Sequence, residues 1–412
     1  MSFLSDLTLK DKDVPRAGAA TSAGHIVQMV RAGEVRTRRE VQEATGLSRS
    51  TVFVRLAELM AAGYLRETGS RPGAAGRPSG ILSFDETDKL ILLADLGATH
   101  SRLALQDAGG AVLAESTKEM LIDSGPEPVL HVVRDGFRAL VRKSGRPLNQ
   151  LQGIGIGLPG PVDFATGRPN QPPLMPGWHD YPVPQALQHW FDVPVIVDND
   201  ANLMGLGEAR SRFPDVPSLL FVKVGTGIGA GVILHGQPER GVAGGAGDIG
   251  HIRIAHPDGP RRCACGSVGC LAAHASGGAL ARQLTERGVP AGSSRDVVNL
   301  VHAGHPEAIA LVRTAGRLLG EVLATAVALL NPGVVVLSGD MANTHEHFLV
   351  GVREVLYERT LPLATRELVI TASALGNRAG VEGARRLVLD SVFSAEAIDD
   401  RLRQATAERL SS

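Results

Sequence analysis

The chain is poor in cysteine and lacks any long apolar run. No stretch of its 412 residues reaches the ~18 consecutive apolar residues that a membrane-spanning helix needs. The opening residues, MSFLSDLTLKDKD, do not have the pattern of a secretory signal. All three cysteines lie between positions 263 and 270, and thiols that one metal ion can use together are typical of a reducing compartment. We therefore expect a cytoplasmic protein with no membrane partner.

The net charge of the chain is close to zero, but the charged residues are unevenly distributed along it. The whole chain carries −1, which gives no indication of a polyanionic partner. Residues 21–80, however, contain nine arginines and five glutamates, a net charge of +4. This asymmetry predicts one basic module attached to a neutral or acidic body.

The basic segment has the pattern of a winged helix-turn-helix over residues 21–86, after a flexible tail over residues 1–20. The pattern predicts a helix over 22–33, a second opened by the capping box Thr37–Glu40, and a third capped by Ser48. Apolar residues on the third helix recur at the spacing of one buried face: Val52, Leu56, Leu59 and Met60. Two short strands, 64–68 and 80–84, would follow as the wing.

This plan indicates DNA binding, with the third helix in the major groove and the wing at the minor groove. The candidate DNA contacts are Arg49, Ser50, Thr51 and Arg55 on the helix, and Arg71 and Arg77 in the wing. The alternative is a small helical protein-interaction domain with a solvated basic face.

A complete ligand set for a metal lies in the second half of the chain. His251 precedes the run Cys263-Ala264-Cys265-Gly266-Ser267-Val268-Gly269-Cys270, and three thiolates with one imidazole suit a tetrahedral structural zinc ion. Because four protein ligands leave no open position, we expect one zinc per chain to brace a loop. The alternative is three buried free thiols or a redox pair.

The body alternates strands and helices, and it contains two similar bends that indicate an internal duplication. Strand–turn–strand patterns with small residues can present backbone N–H groups to phosphate. The phosphate-binding candidates are Asp95, Gly97, Thr99, Gly225, Thr226 and Gly227. Between the bends, a buried strand over 195–198 delivers Asn199 and Asp200 at its carboxyl end, where open α/β sheets place ligand groups. Asp200 could act as a general base toward a sugar hydroxyl, or it could cap a helix that starts at Ala201.

Several motifs together resemble the ROK family of repressors, open reading frames and sugar kinases, within the actin-like superfamily. The motifs are Asp95–Arg102, Gly155–Asp163, Pro176–Trp178, Asp198–Asn202, Gly225–Gly231, Gly245–His251 and Cys263–Cys270. The resemblance implies an α/β fold: a winged helix-turn-helix followed by a two-lobed actin-like (duplicated ribonuclease H-like) domain over residues 87–392. The lobes would comprise roughly residues 87–200 plus a C-terminal helix, and 201–378, with a polar helix over 393–412. The residues implied to face a sugar are Gly160, Asn170, Asn199, Asp200, Asp248 and His251.

Three departures from the family's kinases argue against catalysis. Asp248 stands where the kinases usually have Glu, and Ala272 stands where a Glu follows the last cysteine. Ala98 replaces a glycine in the phosphate bend, which adds a methyl group near the phosphates. His274 could replace a lost sugar contact, although a helix-surface histidine is the simpler interpretation.

These observations predict a DNA-binding transcriptional regulator, a repressor of carbohydrate metabolism, controlled by a sugar or sugar derivative. A homo-oligomer, dimer or tetramer, is expected because palindromic operators match two-fold protein symmetry. One alternative is an ATP-dependent sugar kinase with an accessory DNA-binding domain. The other is a regulator controlled by a protein partner, with a vestigial sugar pocket.

Overall fold

The computed structural model describes residues 21–71, 79–256, 259–344 and 346–411. The chain divides into two compact units, one containing the described residues up to Lys89 together with those from Leu389 onward, and the other spanning Leu90–Val388. The expected flexible tail and the wing residue Arg77 lie outside the described residues, and only the backbone of Arg71 is described.

The first unit contains three helices and a hairpin in the predicted order. They are α1 (Ala23–Ala32), α2 (Arg38–Thr45), α3 (Arg49–Ala61), β1 (Leu65–Arg71) and β2 (Ser79–Phe84). The capping box is present, because Thr37 accepts the backbone N–H of Glu40 while the Glu40 carboxylate accepts the N–H of Thr37. Ser48 caps α3 through the N–H of Thr51 at 3.1 Å.

The buried face of α3 is close to the predicted one. Val52, Leu56 and Leu59 are buried. Met60 is only half-buried, so its prediction as a core residue is wrong. An i+8 position lies at the margin of the buried stripe, since an ideal helix turns 100° per residue.

The first lobe of the second unit contains a five-stranded sheet in the order β5-β4-β3-β6-β9. Its elements are β3 (Leu90–Leu96), β4 (His100–Asp107), β5 (Val112–Glu119), α4 (Pro126–Ser144), β6 (Leu151–Leu158), β7 (Val162–Asp163), β8 (Arg168–Pro169), α5 (Val183–Gln188) and β9 (Val195–Asn199). The first three strands pair antiparallel, while β6 and β9 add in parallel.

The second lobe repeats this plan, with a sheet in the order β12-β11-β10-β13-β14 and the same alternation of antiparallel and parallel pairs. Its elements are α6 (Asp200–Arg212), β10 (Ser218–Val224), β11 (Ile228–Leu234), β12 (Gln237–Glu239), α7 (Leu271–Ala275), α8 (Gly277–Glu286), α9 (Ser294–His302), α10 (Pro306–Leu330), β13 (Val334–Ser338), α11 (Glu346–Arg359), α12 (Pro362–Thr365) and β14 (Val369–Ala372). The helix α13 (Ala379–Val392) follows and packs against β6 of the first lobe, where a Cβ on Gly155 would lie 3.0 Å from Val388. The repeat confirms the predicted duplication and the α/β fold class.

The last helix, α14 (Ala395–Ser411), packs against α1. A Cβ on Gly24 would lie 2.0 Å from the carbonyl oxygen of Ala395, so the two helices approach as closely as they do because position 24 has no side chain. The Gly24 N–H donates to Asp399 Oδ1 at 2.8 Å. Just before α14, the fully buried Phe393 lies edge-on to Tyr64 and Phe84. A segment with no role assignable from sequence is thus part of the first unit.

Candidate functional site

The carboxyl ends of β3 and β9 bring two carboxylates, those of Asp95 and Asp198, to the same edge of the first sheet. Asp95 pairs in register with Gly157, and Gly157 pairs with Asp198 on the next strand. The helix α6 begins at Asp200, and its N-cap is Asn199, whose Oδ1 accepts the N–H of Ala201 at 2.9 Å. The alternative in which Asp200 caps this helix is therefore wrong, and the Asp200 side chain has another partner.

That partner is Lys223, near the end of β10. Its Nζ lies 2.5 Å from Asp200 Oδ2, and the carboxylate side chain is only 6% exposed. Burial alone would lower the pKa of Lys223, but the negative charges of Asp200 and Asp95 outweigh it and raise the pKa. The lysine therefore stays protonated and holds Asp200 in an ion pair.

Asp95 lies beside this pair. Its Oδ1 is buried and has no hydrogen-bond partner among the described residues. Burial raises the pKa of Asp95 to about 6, with the charge of Lys223 opposing the rise and that of Asp200 adding to it.

The two predicted phosphate bends meet at a cavity of about 870 Å³. Thr99 of the first bend and Thr226 of the second both line it, together with the imidazole of His100 and the guanidinium groups of Arg282 and Arg295. At the first bend the Gly97 N–H donates to the carbonyl of His100 at 3.0 Å. At the second, the N–H of Gly225 donates to the carbonyl of Gly227 at 3.0 Å.

The methyl group of Ala98 packs against the apolar core of the first lobe. The prediction that this methyl crowds the phosphates is therefore not supported by where it lies. Ala272 likewise packs against the core of the second lobe, so an apolar side chain suits its position.

The sugar-facing candidates fall into two groups. In the first, Asn199 Nδ2 donates to the carbonyl of Gly160 at 2.9 Å, which joins the β9 end to the loop after β6. Asn170 is exposed and follows β8, with its N–H donated to the Pro161 carbonyl at 2.9 Å.

In the second group, Asp248 is exposed and its carboxylate lies 3.9 Å from Nε2 of His251. The two residues are adjacent because a short 3₁₀ turn, Ile249–His251, follows Asp248 directly.

An ion pair between Asp198 and Arg240 connects the strand that ends at Asn199 to the loop that leads to Asp248. The buried Asp198 accepts two hydrogen bonds from Arg240, at 2.6 and 2.9 Å. The guanidinium lies 3.7 Å from the centre of the Phe164 ring, and the loop that begins at Arg240 leads to Asp248. Asp198 also accepts the backbone N–H of Asn199 at 2.7 Å, so the network fixes the residue that caps α6.

The predicted metal ligands converge. The ligand atoms of His251, Cys263, Cys265 and Cys270 all lie within 4.8 Å of one another, close enough to hold a metal ion. The hairpin between them is closed by the Cys263 N–H donated to Ser267 at 2.8 Å.

His274, on α7, is not a helix-surface residue as the sequence indicated. It is 2% exposed, its Nε2 accepts the N–H of Arg261, and its ring stacks on that of His256 at 4.5 Å. It thus holds the segment that leads into the cysteine hairpin. An apolar i, i+3 pattern could not reveal this role, because the partners of His274 belong to a loop.

The exposed face of α3 differs from the predicted one. Arg49 and Ser50 are exposed as expected. Thr51 joins the cap, with its Oγ1 2.8 Å from Ser48 Oγ. Arg55 is half-buried, and its Nη1 has no hydrogen-bond partner among the described residues.

The face of α3 is completed by two apolar side chains that sequence reasoning missed. Phe53 is 62% exposed and Val54 is 53% exposed. The Arg38 guanidinium lies 5.6 Å from the Phe53 ring centre and pairs with Glu67 at 2.7 Å. The signal was available, because Phe53 and Val54 lie one turn beyond Arg49 and Ser50.

Lys223 was also missed. The signal for it is a single lysine in an otherwise apolar strand, because a lysine is seldom buried without a paired carboxylate. Separately, no helix in the described ranges combines the length and apolarity needed to cross a membrane.

Comparison with known proteins shows where this chain belongs. It is 28% identical to the xylose repressor of Caldicellulosiruptor bescii over 90% of this chain and 95% of that protein. It is 29% identical to the glucokinase of Halalkalibacterium halodurans over 75% of this chain and 98% of that protein. A solved ROK family transcriptional regulator, a homologue of the E. coli MLC protein, has the same fold, with a TM-score of 0.77, 24% identity and coverage of 92% of this chain and 98% of that one. The ROK family profile matches residues 92–391, and the chain belongs to the ROK family.

Proposed function

We propose that this protein is a sugar-responsive transcriptional repressor of carbohydrate metabolism. Residues 21–86 bind a double-stranded DNA operator, and the body binds a sugar or sugar derivative at the carboxyl end of β9. The observation that carries the proposal is a capped helix-turn-helix joined in one chain to a ROK body. The match to the xylose repressor covers 90% of this chain, whereas the match to the glucokinase covers 75% of it.

The DNA-binding face of α3 comprises Arg49, Ser50, Phe53 and Val54. Arginine can donate two hydrogen bonds to guanine, and phenylalanine packs against the methyl group of thymine. Arg71 and Arg77 in the wing supply minor-groove or phosphate contacts. Two such modules in a homo-oligomer would match a palindromic operator.

In the body, Asn199, Asp200, Asp248 and His251 contact the sugar, with Gly160 and Asn170 at the edge of the pocket. A zinc ion held by the His251, Cys263, Cys265 and Cys270 cluster orders the loop that carries Asp248. Three thiolates and an imidazole fit zinc, and its role here is structural because all four ligands come from the protein.

The second candidate function is a sugar kinase. It is favoured by Asp200, a carboxylate placed where a general base for a sugar hydroxyl would lie. Against it stands the ion pair with Lys223, because the ammonium group 2.5 Å from Asp200 Oδ2 occupies a hydrogen-bonding position of the carboxylate that a sugar hydroxyl would need.

The test starts from an operator selected out of random duplex DNA by the full-length protein. Its affinity is then measured with and without a panel of hexoses, pentoses and N-acetyl sugars, and ATP consumption is measured in parallel. We expect at least one sugar to change operator affinity, and no ATP consumption. Turnover in the ordinary enzyme range of ~1–10³ s⁻¹ that Asp200→Asn abolishes would assign the protein to the kinases. An operator affinity that none of the sugars changes would indicate control by a protein partner.

A further inference from the structure

Lys223 lies near two carboxylates, one on the strand β3 and one at the start of the helix α6: it forms an ion pair with Asp200, and the charge of Asp95 also acts on it. Gly157 lies between them: a Cβ there would be 3.5 Å from Asp95 Oδ1 and 3.7 Å from the Cα of Asp200. Asp95 and Asp200 thus both lie within van der Waals reach of position 157. Lys223, near the end of β10, contacts Asp200 at 2.5 Å.

The ammonium group of Lys223 offsets part of the negative charge in this cluster. Asp200 and Asp95 both act on Lys223, and Asp340 adds a third negative charge nearby. Two buried carboxylates without a cation would repel each other and lose their hydration. The cluster thus requires one positive charge at the place where Lys223 Nζ lies.

Phosphoryl transfer places a different cation in such a setting. A magnesium ion is usually held by one or two carboxylates together with the phosphates of the nucleotide, and it neutralises the charge that develops. An ammonium group can neutralise carboxylates, but it has no open coordination positions for phosphate oxygens and the attacking group. The cavity next to this cluster, which is lined by Thr99 and Thr226, is where the phosphates would lie.

We propose that the Lys223 ammonium group occupies the position of a divalent cation between Asp95 and Asp200, so that this ROK body keeps the carboxylates of a phosphoryl-transfer site without being able to load the metal. This inference deepens the proposed function, on which it rests, by giving the reason why sugar binding does not lead to turnover.

The test uses Mn²⁺ alone as the probe, because its binding is counted directly by electron paramagnetic resonance without any enzymatic activity. Mn²⁺ prefers oxygen ligands, so the thiolate cluster competes weakly for it. The proteins are the full-length chain and the Lys223→Gln, Lys223→Arg, Asp200→Asn and Lys223→Gln/Asp200→Asn variants. Lys118→Gln on β5 serves as the matched control, since Lys118 is exposed.

We expect Lys223→Gln to bind one more Mn²⁺ per chain than the native protein, at least about tenfold more tightly than any site of the native protein. Lys223→Arg, which keeps the charge, and Lys118→Gln should gain none, and the double variant should lose the new site. Mn²⁺ should also raise the melting temperature of Lys223→Gln and of no other variant.

Two results would overturn the inference. One is a native protein that binds Mn²⁺ at a site removed by Asp200→Asn. The other is a Lys223→Gln protein that gains no Mn²⁺, or that is unfolded and is not restored by the metal. Operator affinity with and without sugar, measured on the same preparations, reports separately on the proposed function, so its failure would not be mistaken for failure of the lysine assignment.

Discussion

At the scale of single residues, the body depends on charges that are balanced away from water. Asp95, Asp200 and Lys223 are close together. Removing one partner of a buried ion pair strongly destabilises the folded state, because the other charge is left uncompensated. The balance also makes stability depend on pH, because Asp95 titrates in an unusual range.

The first prediction concerns Asp95→Asn. Burial raises the pKa of Asp95 to about 6, whereas the unfolded chain ionises near 4, so the native body should lose stability as pH rises from about 4 to about 6 and then level off. In the native protein the free energy of unfolding should fall by about 2–3 kcal/mol over this range, and the asparagine variant should not show this decrease. Urea unfolding at several pH values measures it, with the exposed Asp215→Asn as the control. Curves for native protein and Asp95→Asn that run parallel from pH 4 to 7 would contradict the prediction.

The second prediction concerns the DNA-binding face of α3. Arg49→Ala and Phe53→Ala should each weaken operator binding by about 1–3 kcal/mol, since both side chains are exposed at the end of the helix that enters the groove. At the base pair that Phe53 contacts, replacing thymine by uracil removes the methyl group. This replacement should weaken operator binding by the native protein but not by Phe53→Ala. Fluorescence anisotropy gives the affinities, and the exposed Arg142→Ala in the body should have no effect.

Residue roles were predictable from sequence where the chemistry is local. The metal cluster was found because three of its ligands lie within eight residues and few other ligand sets share that spacing. The Asp200–Lys223 pair was not, because its partners are 23 residues apart and belong to different elements. Nothing in a single sequence says which buried carboxylate meets which cation.

At the scale of elements, the loops and helix ends position the site. The segment from Arg240 to Cys270 has little regular structure, and it is held by the Asp198 pair at one end and by the thiol cluster at the other. Removing either attachment should therefore affect the sugar response more than the fold.

The third prediction is that Cys265→Ser loses the zinc ion and weakens the sugar response without changing operator affinity in the absence of sugar. The physical reason is that the metal orders the loop that carries Asp248. Elemental analysis and operator titrations measure the two effects. Val268→Ala, in the same hairpin and exposed, is the control. Native protein purified without chelator and found free of zinc would refute the prediction.

The fourth prediction concerns the pair formed by α1 and α14. Gly24→Ala places a methyl group 2.0 Å from a backbone oxygen, which the helix cannot avoid without moving. Overpacking of this kind costs about 1–3 kcal/mol, so operator affinity and the stability of the first unit should both fall. Gly245→Ala, where the added methyl meets nothing within 4 Å, should leave stability unchanged. If both variants melt like the native protein, the close packing of α1 and α14 is not needed.

Element prediction succeeded where caps and periodicity are explicit, as at Thr37, Ser48 and the strand before Asn199. It could not place α14, because a polar helix with a weak apolar face gives no indication of its partner. The glycine that accommodates it, Gly24, is more than 370 residues away in the chain.

At the scale of the whole molecule, the first unit is built from both ends of the chain. Its described residues precede Leu90 and follow Val388, so the body is inserted into the sequence of the DNA-binding unit. A deletion that removes only residues 1–86 would leave Phe393 and Ile398, both fully buried in the native chain, without cover.

The fifth prediction follows for two fragments. Residues 90–388 should fold, bind sugar and fail to bind the operator, whereas residues 87–412 should aggregate through their uncovered apolar side chains. Size-exclusion chromatography and circular dichroism distinguish them. A soluble, monodisperse 87–412 fragment would contradict the assignment of α14 to the first unit.

The same arrangement determines when the first unit can complete its packing during protein synthesis. The first unit lacks α14 until about 300 residues of the body have been made, which at ~5–20 residues per second takes roughly 15–60 s. During that interval the face of α1 that α14 later covers is open to the ribosome surface or to chaperones. The first unit therefore completes its packing only after the whole body has been translated.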